Sequence, residues 1–192
     1  MQTVEELFNT LSPLINYQDN DWDVLAGEAD QIAEWIPELV DVFYDTLYAH
    51  DQTKSVFQEG ERPKVEQTLK DWVASLVQGK QQQAFWDHQW IVALYHVRRG
   101  VRNLYMLAMM NRVQQTFLAK CIETYDKEKA YQVFSAFLRI SGAVATLIAE
   151  CYGVLLESST KEGLQKIGLN PALLQRIKDT QINKMIEEHH GN

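Results

Sequence analysis

Three helices predicted from the sequence each carry a polar side chain beside or within a stripe of apolar residues. Tyr44 and Thr68 each take the place of one apolar residue in the stripe of their own helix. His96 lies beside the apolar stripe of the third helix. An imidazole can bind a metal ion, and a phenol or hydroxyl can donate a hydrogen bond. Each residue can also be structural, because Thr68 can bond the carbonyl one turn back and Tyr44 can reach a loop backbone.

The neighbours of His96 distinguish it from the other histidines. On its side of the helix lie Val92, Ala93 and Gly100, at i−4, i−3 and i+4. These small residues leave a flat, shallow space beside the helix, in which a planar cofactor could lie against an imidazole nitrogen. A surface histidine, or a core histidine bonded to the backbone, is the other interpretation that the residues leave open.

Helices must position these residues, because no alternating pattern or hairpin dipeptide indicates a strand. With 4 Pro and 9 Gly in 192 residues, long segments remain uninterrupted. We predict an all-α domain with helices at residues 4–14, 22–35, 37–49, 63–78, 81–99, 102–125 and 127–156, a short turn near 53–57, and a weak amphipathic helix in the tail. In this prediction Asp21 caps the second helix and Pro37 stands in the first turn of the third.

Composition and charge exclude several classes of protein. With 46% hydrophobic and 23% charged residues, the chain is typical of soluble globular proteins. A net charge of −8 argues against nucleic acid or an anionic membrane surface as a partner. The uncharged run at 140–149 is half of the ~20 residues that a membrane span needs. The first residues of the chain show no signal-peptide pattern. Cys121 and Cys151 are expected to be buried reduced thiols, so we expect a cytoplasmic protein.

Two segments at a characteristic separation resemble a known family. The segment WDHQWIVALYHVR at residues 86–98 follows Phe43-Tyr44-Asp45 by about 50 residues. This pair is similar to the proximal F-helix and B-helix motifs of the sensor globins, the branch that contains globin-coupled sensors, protoglobins and single-domain sensor globins. The resemblance covers residues 15–157. It implies an all-α globin fold with an extra N-terminal helix and a C-terminal helical extension.

The resemblance also implies a haem b site with a distal tyrosine. The family's F-helix histidine, which binds the haem iron, matches His96, and its B-helix tyrosine, which donates a hydrogen bond to the gas ligand, matches Tyr44. The family's distal E-helix positions match Val65 and Thr68. We further expect a backbone carbonyl near Val92 to bond the second ring nitrogen of His96.

Other residues are candidates for the cofactor pocket, and each can equally belong to the plain core. The candidate wall residues are Phe57, Leu69, Val92, Tyr105 and Ile140. Arg99, one turn beyond His96, is a candidate partner of a haem propionate, with a solvated arginine as the alternative.

The last long helix is apolar on two faces, one through Phe137 and Val144 and the other through Ile140 and Leu147. Such a helix is buried on two sides, which is more than a lone surface helix requires. In sensor globins the final two globin helices form a four-helix dimer interface, so the resemblance implies a homodimer. A wholly intramolecular core is the alternative.

We therefore predict a sensor globin haem domain at residues 1–158 and a linker or helical tail at 159–192. The tail is too short for a cyclase, kinase or methyl-accepting domain. The function implied is non-enzymatic binding and sensing of oxygen, and also of CO and NO. Two alternatives are an enzyme that turns over nitric oxide or peroxide at the same iron, and a non-haem protein-interaction module, against which His96 argues.

Overall fold

The computed structural model describes residues 3–81, 83–166 and 171–190, and in them the regular structure is entirely helical. The helices are α1 (Val4–Leu14), α2 (Asp21–Ala26), α3 (Ala29–Tyr48), α4 (Asp51–Lys54), α5 (Arg62–Ser75), α6 (Gln83–Arg98), α7 (Asn103–Thr124), α8 (Lys127–Lys166) and α9 (Pro171–His190). The predicted all-α class is confirmed for this part of the chain.

The chain divides into two compact units within α8. The first unit extends to Tyr152 and holds α1 to α7 with most of α8; the second begins at Gly153 and holds the rest of α8 and α9. The assignment of residues 159–192 to a linker or tail stays a prediction.

Helix α1 packs against α6, which carries His96. A capping box starts α1, because the Thr3 hydroxyl accepts the Glu6 N–H at 3.1 Å and the Glu6 carboxylate accepts the Thr3 N–H at 2.9 Å. The ring of Phe8 on α1 lies 4.2 Å, centroid to centroid, from that of Trp86. The leading helix thus holds the first turns of α6.

The prediction of one helix over 22–35 with Asp21 as its cap is wrong. The structure has a break between α2 and α3, and Asp21 is the first residue of α2. Its buried carboxylate accepts two hydrogen bonds from Arg139, at 2.5 and 2.9 Å, and one from the Gln18 N–H at 3.1 Å. The aspartate joins distant parts of the chain as well as bonding the N–H that precedes its helix.

Pro37 lies inside α3, and the prediction that it stands in a first helical turn is wrong. A proline inside a helix removes one backbone hydrogen bond and costs about 3 kcal/mol. The helix nevertheless continues, because Trp35, Leu39 and Val40 are all buried on either side of the proline. Burial of each such side chain contributes roughly 1.5–3 kcal/mol, which together outweighs the loss.

The later helices follow their predicted bounds more closely. Helices α5, α6 and α7 begin and end near the predicted residues, whereas α8 runs on to Lys166 instead of ending near 156. It continues through Gly163, because a single glycine in a helix costs only about 1 kcal/mol.

Both apolar faces of α8 are buried within the chain itself. Phe137, Val144, Ile140 and Leu147 are each at most 2% exposed, and the Phe137 ring stacks on Phe117 at 3.8 Å. By length and composition the segment Lys127–Gly163 could cross a membrane, but 56% of its apolar window is buried in the fold. The core helix of a soluble protein has the same length and composition, and α8 is such a core helix over most of its apolar window.

Candidate functional site

Tyr44 lies in a buried cluster between α3 and α5. Its side chain is 6% exposed and packs with Val40, Leu47 and Met109, and its hydroxyl donates a hydrogen bond of 2.6 Å to the Val65 carbonyl. Three of the predicted pocket residues, Phe57, Val65 and Leu69, pack against this cluster. The structure therefore brings together four of the residues predicted for the pocket.

The Tyr44 hydroxyl remains protonated. Burial raises the pKa of this phenol well above its ordinary value, and the negative charge of Glu66 raises it further. The positive charge of Arg99 acts in the opposite direction with a smaller effect. At physiological pH the side chain is a hydrogen-bond donor in a water-poor cluster.

Thr68 is differently placed. Its side chain is exposed, and its hydroxyl donates to the Lys64 carbonyl at 3.1 Å. This is the bond to the preceding turn that the sequence left open as the structural interpretation.

His96 presents a buried nitrogen that the protein leaves without a partner. Its Nδ1 atom is buried and has no hydrogen-bond partner among the described residues. The predicted bond from a carbonyl near Val92 is therefore wrong; inside a helix the Val92 carbonyl is directed at the backbone N–H of His96 instead. Burial, and secondarily the charge of Arg99, lowers the pKa of His96. The imidazole is thus held neutral, which is the form that binds a metal.

The turn after His96 fixes where α6 ends. The Val101 N–H donates to the His96 carbonyl and the Gly100 N–H to the Val97 carbonyl, each at 3.0 Å. Gly100 has φ +70°, the left-handed conformation that this Schellman motif requires. Gly100 is therefore a helix-ending residue, and its predicted place on the helical face beside His96 is wrong.

Arg99 forms an ion pair with Glu61, which links the end of α6 to the residue before α5. The hydrogen bond from Arg99 lowers the pKa of Glu61 and raises that of Arg99. A cleft of about 430 Å³ lies beside the pair, lined by Val56, Gln58, Tyr95, Arg98 and Arg99. Sequence reasoning missed Glu61, because no local pattern relates residues 38 positions apart.

The remaining predicted wall residues lie in three helices. Val92 on α6 is half-buried, and Ile140 on α8 is fully buried. Tyr105 on α7 is half-buried, with the Arg102 guanidinium 5.4 Å from its ring centroid.

Comparison with known proteins identifies the family. The family model described as Protoglobin matches residues 4–160. The chain belongs to the protoglobin family. This protoglobin is similar in fold to the globin domain of a Geobacter sulfurreducens globin-coupled sensor, with a TM-score of 0.70 and 24% identity over 75% of this chain and 96% of that one. The sequence-based resemblance and the predicted globin fold, with its additional helices at both ends, are confirmed.

A curated relative adds a shorter match. An uncharacterised protein of Methanocaldococcus jannaschii is 27% identical to this protoglobin over 59 residues. The match covers 31% of either chain, so this protoglobin spans about a third of the length of that relative.

The residues of this protoglobin fit a haem. No group of three or more His, Cys, Asp or Glu within the described residues could hold a metal ion. A haem brings four of its own iron ligands and needs one strong ligand from the protein, such as a neutral histidine. The half-buried imidazole of His96 meets that need, and among the described residues nothing competes for its buried Nδ1 atom.

Proposed function

We propose that this protoglobin binds haem b through His96 and uses it to bind and sense diatomic gases, with oxygen as a ligand and CO and NO as others. The observation that carries the proposal is the half-buried His96 ring, whose Nδ1 is buried and has no hydrogen-bond partner among the described residues. Haem iron, when bound, supplies an open coordination position for a small gas.

The chain's own residues then have separate roles. His96 holds the iron, and Tyr44 donates a hydrogen bond to the gas. Because the Tyr44 hydroxyl bonds the Val65 carbonyl at 2.6 Å, it must give up that bond before it can donate to a ligand. The apolar side chains of Phe57 and Leu69 keep water from the donor.

The other candidates complete the pocket. Val65 and Thr68 belong to its distal side in this proposal, for which the exposed Thr68 hydroxyl must turn away from the Lys64 carbonyl. Val92, Tyr105 and Ile140 belong to its walls. Arg99 serves a haem propionate, for which its guanidinium must be shared with, or released from, Glu61.

We also propose that the protein is a cytoplasmic homodimer that takes part in signal transduction. Since both inner faces of α8 are already filled, the support for a dimer comes from apolar residues left exposed on the last two globin helices. Leu104 and Ile122 on α7 are 60% and 64% exposed, and Tyr131 on α8 is 73% exposed. A second copy would cover these side chains.

Visible spectroscopy tests the gas-binding proposal. The purified chain is mixed with haem, reduced, and exposed in turn to CO and oxygen. We expect an intense Soret band that shifts reversibly with each gas, without consumption of nitric oxide or peroxide when a reductant is supplied. A protein that stays colourless after haem addition would contradict the proposal and favour a protein-interaction module, and rapid turnover would favour an enzyme.

A further inference from the structure

The turn that follows α6, the helix of His96, is joined to α8 by a hydrogen bond from a tyrosine. The Val101 N–H donates to the His96 carbonyl at 3.0 Å, and the Val101 carbonyl accepts the Tyr152 hydroxyl at 2.9 Å. Tyr152 is 51 positions further along the chain. Two hydrogen bonds in series thus connect the backbone of His96 to α8.

Val101 needs this partner. It lies between the end of α6 and the start of α7, so its carbonyl is not part of the regular hydrogen bonding of either helix. A carbonyl in a half-buried loop must bond to something. The Tyr152 hydroxyl donates that hydrogen bond to the Val101 carbonyl.

The Tyr152 side chain is suited to keep this hydrogen bond. The side chain is half-buried, and burial raises the pKa of its phenol to about 12, with a smaller contribution from Cys151. The hydroxyl therefore stays protonated and remains a donor throughout the physiological range.

The position of Tyr152 along α8 is also distinctive. It is the last residue of the first compact unit, and the helix continues beyond it to Lys166. Its neighbours Ile148 and Cys151 are buried in the core of the first unit, so a displacement at Tyr152 acts on a packed stretch of α8.

We propose that Tyr152 is a positioning residue that couples His96 to the part of α8 that belongs to the first unit. A movement of His96 that accompanies gas binding shifts the Gly100–Val101 turn, and the Tyr152 hydroxyl passes that shift to α8. This inference rests on the proposed function, because a gas can move His96 only through a haem that it holds.

Amide hydrogen exchange tests the hydrogen bond between Tyr152 and Val101 in the full chain, first without haem and then with haem bound. Tyr152→Phe removes only the hydroxyl. Tyr125→Phe is the matched control, since it removes another hydroxyl bond, donated to Glu28 at 2.8 Å. In the haem-free protein we expect amides of residues 99–102 to exchange about fivefold faster in Tyr152→Phe, which corresponds to the loss of one typical hydrogen bond, and to be unchanged in the control.

The haem-loaded protein tests the coupling. In the wild type and in Tyr125→Phe, adding CO changes the exchange of residues 145–152; in Tyr152→Phe that difference is lost. A CO-dependent change of wild-type size in Tyr152→Phe, or unaltered exchange at 99–102, overturns the inference. A wild-type chain without a Soret band would instead reject the proposed function. The exchange of the haem-free protein would still measure the hydrogen bond between Tyr152 and Val101.

Discussion

Replacing Tyr44 with phenylalanine tests the distal donor, because the change removes one hydroxyl and keeps the ring. In the gas-free protein that hydroxyl bonds the Val65 carbonyl at 2.6 Å within a buried cluster. The substitution therefore has two consequences, one for stability and one for the gas.

The structure sets the size of both effects. The bond from Tyr44 to Val65 contributes about 1 kcal/mol to stability, as a typical net hydrogen bond does. A bond to a ligand that gathers negative charge contributes about 1.5–3 kcal/mol. Because the first bond must be broken to form the second, the net gain is about 0.5–2 kcal/mol, or roughly 2- to 30-fold in affinity.

Stopped-flow measurement of oxygen dissociation is the assay. We expect Tyr44→Phe to release oxygen roughly 2- to 30-fold faster and to affect CO less, because CO polarises less on binding. Tyr48→Phe is the control: its hydroxyl is buried without a partner among the described residues, so its removal should change neither rate. Oxygen dissociation from Tyr44→Phe at the wild-type rate would refute the distal role.

Three further predictions concern the scaffold. Asp21→Asn leaves Arg139 without its charged partner and should lower the free energy of unfolding in urea by about 2–4 kcal/mol, whereas a change below about 0.5 kcal/mol would contradict the pairing. Burial raises the pKa of Cys121 to about 12, while the unfolded thiol ionises near its ordinary value. Stability should therefore fall as pH rises from 8.5 to 10, and less steeply in Cys121→Ala. Sedimentation should show a dimer that Leu104→Glu weakens; a 22.2 kDa species alone would reject it.

The helices and the polar residues among them could be predicted because both depend on local patterns. A period of 3.6 residues marks a buried face, and Tyr44 and His96 stand out as polar groups in apolar surroundings. The ends of α5 and α6, at Ser75 and Arg98, lie within three residues of the predicted ends at 78 and 99.

The errors arose where distant residues decide the local structure. Pro37 suggested a helix start, but the buried residues on either side of it keep α3 continuous. Asp21 suggested a cap, but its carboxylate is bound by Arg139, 118 positions away. No sequence pattern showed that Arg99 pairs with Glu61, since such contacts form only when the helices pack.

The central claim is that His96 holds the haem, and haem titration of His96→Ala tests it most directly. His88→Ala is the matched control, because His88 lies exposed on the same helix. We expect His88→Ala to bind one haem per chain with the wild-type Soret band, and His96→Ala to lose that band. A wild-type Soret band in His96→Ala, with unchanged haem stoichiometry, would contradict the account.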